Sequence, residues 1–337
     1  MQISIDFWTL NVILPNVDSG TAKLAPAATG APAKIRRRRT SPSNLPLLAM
    51  STPGILLVFV FSYLPMAGII LAFKNFSAAS GVFGSPWVGL ANFAFLFTSG
   101  AAWRIIRNTV FLNFLFMVAA QVCSICVALL LNEIYERFVA KLYQSILFFP
   151  HFISFVLVGY FVYAFLNADS GFVNNILVAL GMQKVAWYSH AQYWTAILVL
   201  VSLWKGLGYF TVIYLAGMVA ISPEYYEAAR MDGGSKRHEV WYVTLPFIRP
   251  LIIINVLLTV GRIFFANFDL FYNTVRDTGL ILQTTDVIDT YVVRSLRVLG
   301  DFNMAAAAGV FQAVCGFLLV VASNWLVRRM DPEHALF

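Results

Sequence analysis

The chain alternates long, continuously apolar runs with shorter polar connections. Six runs, near residues 48–73, 109–131, 145–166, 194–219, 247–271 and 305–327, match the length of about 20 largely apolar residues that an α-helix needs to cross a hydrocarbon core. They lack the ten-residue alternation of barrel strands, and helices satisfy their own backbone hydrogen bonds in lipid. The fold class expected is an all-α integral membrane protein with about six transmembrane helices over residues 46–337. Residues 1–45, rich in Ala, Pro, Thr, Ser and Arg, have no apolar period that would support a core and are expected to form a flexible tail. Within that tail, Phe7, Trp8, Leu10, Val12, Ile13 and Leu14 suit a short segment lying on a membrane surface. The first apolar run is too long for the core of a signal peptide and lacks a small-residue cleavage site.

Six spans put both termini on one side, and the basic residues choose the side. Fourteen fall in the tail (Lys23, Lys34, Arg36, Arg37, Arg38, Arg39), the second-to-third connection (Arg137, Lys141), the fourth-to-fifth (Arg230, Lys236, Arg237, Arg249) and the C-terminus (Arg328, Arg329). Seven fall in the alternate connections: Lys74, Arg104, Arg107, Lys184, Arg276, Arg294 and Arg297. The positive-inside rule therefore predicts cytoplasmic termini and a cytoplasmic loop at 220–246. The external connections, about 35, 27 and 33 residues long, are too short for independent domains of the usual 50 or more residues, but they can shape a mouth.

Composition agrees with a membrane protein: 60% of residues are hydrophobic, 12% are charged, and the mean hydropathy is +0.76. The net charge of +7 follows mostly from this topology, with Arg36 to Arg39 as an anchor beside anionic lipid, so no nucleic-acid partner is expected. Cys123, Cys126 and Cys315 fall inside apolar runs and read as small packing residues, because no His or second Cys pair stands at zinc-ligand spacing. The chain has no phosphate-binding loop of the form G-x-x-x-x-G-K-[ST], no nucleophile elbow and no H-E-x-x-H helix, and its histidines (His151, His190, His238, His334) are scattered. It is expected to be no enzyme by itself and to bind no cofactor or metal. Asp286 and Asp289, expected as solvated loop carboxylates, are the only basis for an alternative reading as an integral-membrane glycan- or lipid-modifying enzyme.

The patterned chemistry lies between the fourth and fifth runs. Glu227-Ala228-Ala229 is followed after three residues by Gly233, and after nine more by Val243, Thr244, Leu245 and Pro246. Pro223 can open a helix, Glu224 and Glu227 suit its N-terminal half, and Ala228 and Ala229 permit close approach. Gly233 and Gly234 then break the helix, Gly233 being expected at positive φ, and Pro246 and Pro250 mark entry to the next run. The result predicted is a short helix across the membrane face, with Tyr225, Tyr226 and Met231 available to the groove of a soluble partner.

This pattern resembles the cytoplasmic EAA loop of bacterial ABC importer permeases, with Val243 at the family's isoleucine. Ser62-Tyr63-Leu64-Pro65-Met66, Ala72-Phe73-Lys74, Ser85-Pro86-Trp87-Val88-Gly89-Leu90, Arg107-Asn108-Thr109, Leu130-Leu131-Asn132-Glu133 and Pro150-His151-Phe152-Ile153-Ser154 extend the resemblance to type I carbohydrate importers, and within them to the oligo- and polysaccharide subgroup. It covers about residue 46 to the C-terminus. The resemblance implies the type I permease fold in a bacterial inner membrane. It also implies alternating access driven by two cytoplasmic ATPase subunits that bind the ATP, a second homologous permease subunit, and an extracytoplasmic solute-binding protein that delivers the glycan. The ATPase-coupling role is carried onto Glu227, Ala228, Ala229 and Gly233, with Asp232 and Gly234 alongside.

Ionisable and aromatic groups within the spans are the candidates for a substrate path: Lys205 and Trp204 in the fourth run, Arg262, Asn267 and Asp269 in the fifth, and Tyr163 in the third. Arg262 and Asp269, seven residues apart, would share a helix face, and a structural pairing is an equal reading of both. Asn113, Gln121, Asn267 and Gln312 would either line the path or bond across helices. Two buried cations against one carboxylate, together with Arg104, Arg107, Arg276, Arg294 and Arg297 outside, lean toward an anionic sugar chain. Within the family this implies alginate or a related uronate oligosaccharide.

Overall fold

The computed structural model describes residues 45–330; the tail, its surface-lying segment and His334 lie outside the described residues. Contacts divide the chain into two units, Met1–Phe61 and Ser62–Phe337. In the first, helix α1 (Leu45–Val58) runs into a π-helical turn at Phe59. Thr52 Oγ1 and Ser51 Oγ donate to the Leu48 carbonyl at 2.7 and 3.0 Å, hiding both hydroxyls within the helix, while Leu47, Ile55, Leu57 and Phe61 are exposed as a lipid-facing surface would be.

Among its described residues the second unit consists of helices joined by turns and loops, with no strand beyond the isolated bridge between Lys74 and Trp87. After a 3₁₀ stretch at Leu64–Phe73 come α2 (Gly100–Asn132), α3 (Arg137–Phe152), α4 (Phe155–Leu166), α5 (Phe172–Ala179) and α6 (Trp194–Val219). Then follow α7 (Pro223–Met231), α8 (Leu245–Val260), α9 (Phe268–Val275), α10 (Ile288–Arg294) and α11 (Phe302–Met330). Side-chain oxygens set three of the starts: Ser99 accepts from the Ala102 amide, Ser154 from Leu157 and Asn267 from Leu270. Two buried clusters order the bundle. Leu112, Leu198 and Phe271 share one, and Ala128, Tyr214, Met218 and Ile248 share the other, so α2 and α6 run parallel from the first cluster to the second.

Among the described residues five helices are long and apolar enough to span a membrane, and a sixth span exists only if a bent pair is counted as one. That pair is the run expected at 145–166: Phe138–Phe152 and Phe155–Leu166 meet at 96°. Pro150 cannot donate to a helical ladder, and Ser154 restarts the helix as an N-cap. The carbonyls exposed at the bend find a donor in Lys205, which is buried and reaches Pro150 O at 3.2 Å, His151 O at 3.0 Å and Ile153 O.

The fifth run also departs from its expected bounds. Its helical stretch begins at Lys236 and ends at Val260, with turns and extended chain before α9. Asn113 Nδ2 donates to Ile263 O at 2.8 Å, Gln312 Nε2 to Phe264 O at 2.8 Å, and the Ala266 amide reaches Asp289 Oδ2 at 2.8 Å. These side chains replace the bonds that a continuous helix would have made, as broken backbone at membrane depth requires.

Candidate functional site: a braced cross-helix and a broken span

The segment with the Glu-Ala-Ala pattern folds as a short helix followed by a glycine turn. Pro223 takes the first turn of α7, where its missing amide costs nothing, and Glu224 sits at the positive end of the helix. Gly233 has φ +77°, the left-handed geometry expected for it, and Gly234 turns so tightly that a Cβ there would stand 2.6 Å from Ala229 O. Glu227, Ala228 and Asp232 are exposed, whereas Ala229 and Tyr226 pack against the cluster around Tyr214 and Ile248. The outward row is thus free for a partner while the inward row grips the bundle.

Charges fix this helix to two others. The Arg230 guanidinium donates to Glu239 at 2.7 Å, Lys236 lies 3.3 Å from the same carboxylate, and Lys236 also reaches Glu133 at the end of α2 at 2.8 Å. Glu239 is buried, with its carboxylate facing two cations. The hydrogen bond and charge of Glu239 raise the pKa of Arg230 above its ordinary value. Tyr226 Oη meets Thr244 Oγ1 at 3.1 Å. α7 is thus tied to the helix entering α8, and that helix in turn to the end of α2. Sequence reasoning missed Glu239, Arg230, Lys236 and Glu133 as a unit: Lys236 stands three residues from Glu239, but Glu133 reaches them only through the fold.

A second site surrounds the broken fifth span. A cavity of ≈ 690 Å³ is lined by Asn113, Gln121, Tyr209, Asn255, Arg262 and Asn267 among others. Of the path candidates, Arg262 and Asn267 meet here. Asn267 also caps α9, accepting from the Leu270 amide at 3.1 Å, and Gln121 accepts from Tyr214 Oη. The break after Val260 removes the shared face expected for Arg262 and Asp269, and both side chains are exposed. Only one of the two spanning cations is buried, and that one, Lys205, is occupied by backbone carbonyls away from the cavity. Trp204 does not line it either. Tyr163 lies in a separate cavity with Tyr188 and Arg276. Burial pushes the Tyr188 hydroxyl up to about 12, against the opposing pull of Arg276, so it stays neutral.

The expectation of solvated carboxylates at Asp286 and Asp289 is corrected. Asp286 is buried, and both its carboxylate oxygens accept from Arg294 Nη2, at 2.7 and 2.8 Å. Asp289 accepts from the Ala266 amide and from Gln312 Nε2 at 3.1 Å, and burial raises its pKa above the usual carboxylate range. The pair proposed for an enzyme is thus divided between two structural tasks.

Residues 120–332 match the family model described as the binding-protein-dependent transport system inner membrane component. The chain belongs to that family. The permease is 33% identical over 85% of its length, and 89% of the relative's, to the polygalacturonan/rhamnogalacturonan transport system permease protein YteP of Bacillus subtilis. A lactose transport system permease protein, LacF of Rhizobium radiobacter, is 25% identical over 81% of this chain and 92% of its own. In structure the permease matches, with a TM-score of 0.79 and 32% identity over 86% of this chain and 97% of the other, a chain of a bacterial ABC transporter involved in the import of the acidic polysaccharide alginate. A second match, with a TM-score of 0.78 and 32% identity over 86% of this chain and 96% of the other, comes from the bacterial alginate ABC transporter in complex with alginate pentasaccharide-bound periplasmic protein. The permease thus has the ABC type I importer fold.

Proposed function

We propose that this permease is the membrane-spanning subunit of an ATP-driven importer of oligo- or polysaccharides, with an acidic glycan such as alginate as its substrate. The observation that carries the reading is the likeness, near one third identity over most of the chain, to permeases named for polygalacturonan/rhamnogalacturonan and for alginate, both uronate polymers or uronate-containing. In this reading α7 and the 220–246 loop face the cytoplasm, as do both termini, in keeping with the excess of Lys and Arg on that side. Two cytoplasmic ATPase subunits bind ATP and engage the row at Glu227, Ala228 and Asp232, while Gly233 and Gly234 shape its end. Their closure moves α7, and the Arg230–Glu239 and Lys236–Glu133 pairs pass that movement to the helices around the central cavity. A second, related permease completes the path, and an extracytoplasmic solute-binding protein delivers the glycan. Arg262 and Asn267 are the path residues of this subunit.

The test is co-purification from mild detergent followed by reconstitution. A second permease, an ATPase with a phosphate-binding loop, and ATP hydrolysis stimulated by a binding protein loaded with alginate oligosaccharide are the expected results. A chain that purifies alone, or an assembly stimulated only by neutral glycans, would overturn the corresponding part of the reading.

A further inference from the structure

A second cation-and-aromatic constellation lies apart from the central cavity, at the end of α9. Phe268 and Tyr272, four residues apart, share one face of that helix and stack with centroids 5.0 Å apart, and Arg276 follows as its C-cap. Helix α4 crosses this face closely because it has Gly159 at the contact: a Cβ there would stand 2.4 Å from Asn273 O. The crossing brings Tyr160 and Tyr163 of α4 to the same place. The Arg276 guanidinium rests 4.1 Å from the centre of the Tyr163 ring, and Tyr163 meets Tyr188 edge-on at 5.8 Å. Tyr188 is held in turn by its hydrogen bond to Thr274 O at 3.1 Å and by the Trp194 ring. Arg276 lines two cavities, one of ≈ 240 Å³ with Tyr160 and Tyr272, and one of ≈ 380 Å³ with Tyr163, Tyr188 and Asp169.

The backbone makes this arginine unusual. Arg276 has φ +56° and Asp277 φ +49°, a left-handed pair at a helix end where glycine is the ordinary residue. Such strained conformations, when held by non-glycine residues, cluster at binding sites. The adjacent Asp277 directs its carboxylate to Arg294, at 2.8 Å, and not to Arg276. What remains is a cation held against a tyrosine, with its ring neighbours fixed and two cavities opening beside it. Phe268, at the other end of the same stripe, lines the central cavity that also contains Arg262.

We infer that Arg276, with Tyr163, Tyr160 and Tyr272, forms an entry subsite that recognises one carboxylate-bearing pyranose unit before the glycan passes along the α9 stripe to the central cavity. A guanidinium presents paired N–H donors that match a carboxylate, and aromatic rings offer flat faces to the C–H side of a sugar. The larger cavity falls within the range of about 300–1,000 Å³ usual for small-ligand sites. The inference rests on the glycan-permease reading and adds to it the residue that distinguishes acidic from neutral chains.

The experiment uses the assembled importer in proteoliposomes with its binding protein, and compares uptake of an oligouronate with that of its carboxyl-reduced counterpart of equal length. Arg276→Asn keeps a residue tolerant of the left-handed conformation and removes the cation. Expected is a fall of about tenfold in the ratio of uronate to neutral uptake, as loss of a charge-assisted bond implies, with Arg276→Lys, which keeps the charge but not the paired donors, recovering only part of the ratio. Thermal stability and subunit assembly of each variant, measured in parallel, report folding independently of uptake. Where the wild type carries oligouronate, uptake of both substrates unchanged in Arg276→Asn would overturn the subsite alone, and an equal loss of both would reduce Arg276 to a structural role. A wild-type importer that carries no oligouronate would overturn the acidic-glycan reading itself.

Discussion

Lys205 illustrates how a single side chain acquires its role. An ammonium in the middle of an apolar run reads as a functional site from sequence, yet its three donors answer three carbonyls freed where α3 meets α4. Replacing Lys205 with Met would leave those buried acceptors unpaired, at about 1–3 kcal/mol for each group that finds no other partner. The expected outcome is a lower melting temperature of the detergent-solubilised assembly and reduced uptake of acidic and neutral glycans alike; selective loss of the acidic one would instead give Lys205 a place on the path. Asp289 makes the complementary case. Asp289→Asn keeps an acceptor for Ala266 and Gln312, so it should leave stability within about 1 kcal/mol of wild type, whereas Asp289→Ala leaves the Ala266 amide without that partner and should cost about 1–3 kcal/mol in denaturation by urea or heat.

Among the elements, α7 and its glycine turn were the most legible in the sequence, because what starts and ends them is local: a proline at the start and two glycines at the end. Gly233→Ala should cost roughly 1–2 kcal/mol through its positive φ. Gly234→Ala must also push the end of α7 away from its seat, since the blocking atom is backbone. In ATPase measurements on the assembly, Gly234→Ala is expected to lower the sugar moved per ATP more than Gly233→Ala does. The charged brace is a longer-range matter. Glu239→Gln should uncouple ATP hydrolysis from uptake while α7 still binds the ATPase subunits, and a double-mutant cycle with Arg230→Gln should show strong non-additivity. Gly159→Leu belongs to the same scale: it should separate α4 from α9 and lower stability, because the space for any Cβ is taken by Asn273 backbone.

For the molecule as a whole, the large exposed apolar surface, from Leu57 and Phe111 to Phe317 and Trp325, asks for lipid or partner subunits rather than water. Sidedness is open to direct labelling. A cysteine placed at Met231 should react from the cytoplasm and one at Lys184 from the opposite face; the reverse pattern would invert the topology. Hydropathy alone specified a helical membrane protein, because a backbone in lipid must satisfy itself, and that demand is written in the length of each apolar run. The Glu-Ala-Ala loop was equally readable, since capping and turning depend on near neighbours. Where helices break, and which polar groups answer the break, followed from contacts between distant segments: Asn113 with Ile263, Gln312 with Phe264, Lys205 with Pro150. A hydrophobic scale cannot separate a polar residue that lines a path from one that repairs a helix, because both are polar groups in an apolar run. The two are told apart only by what stands within hydrogen-bonding distance once the chain has folded.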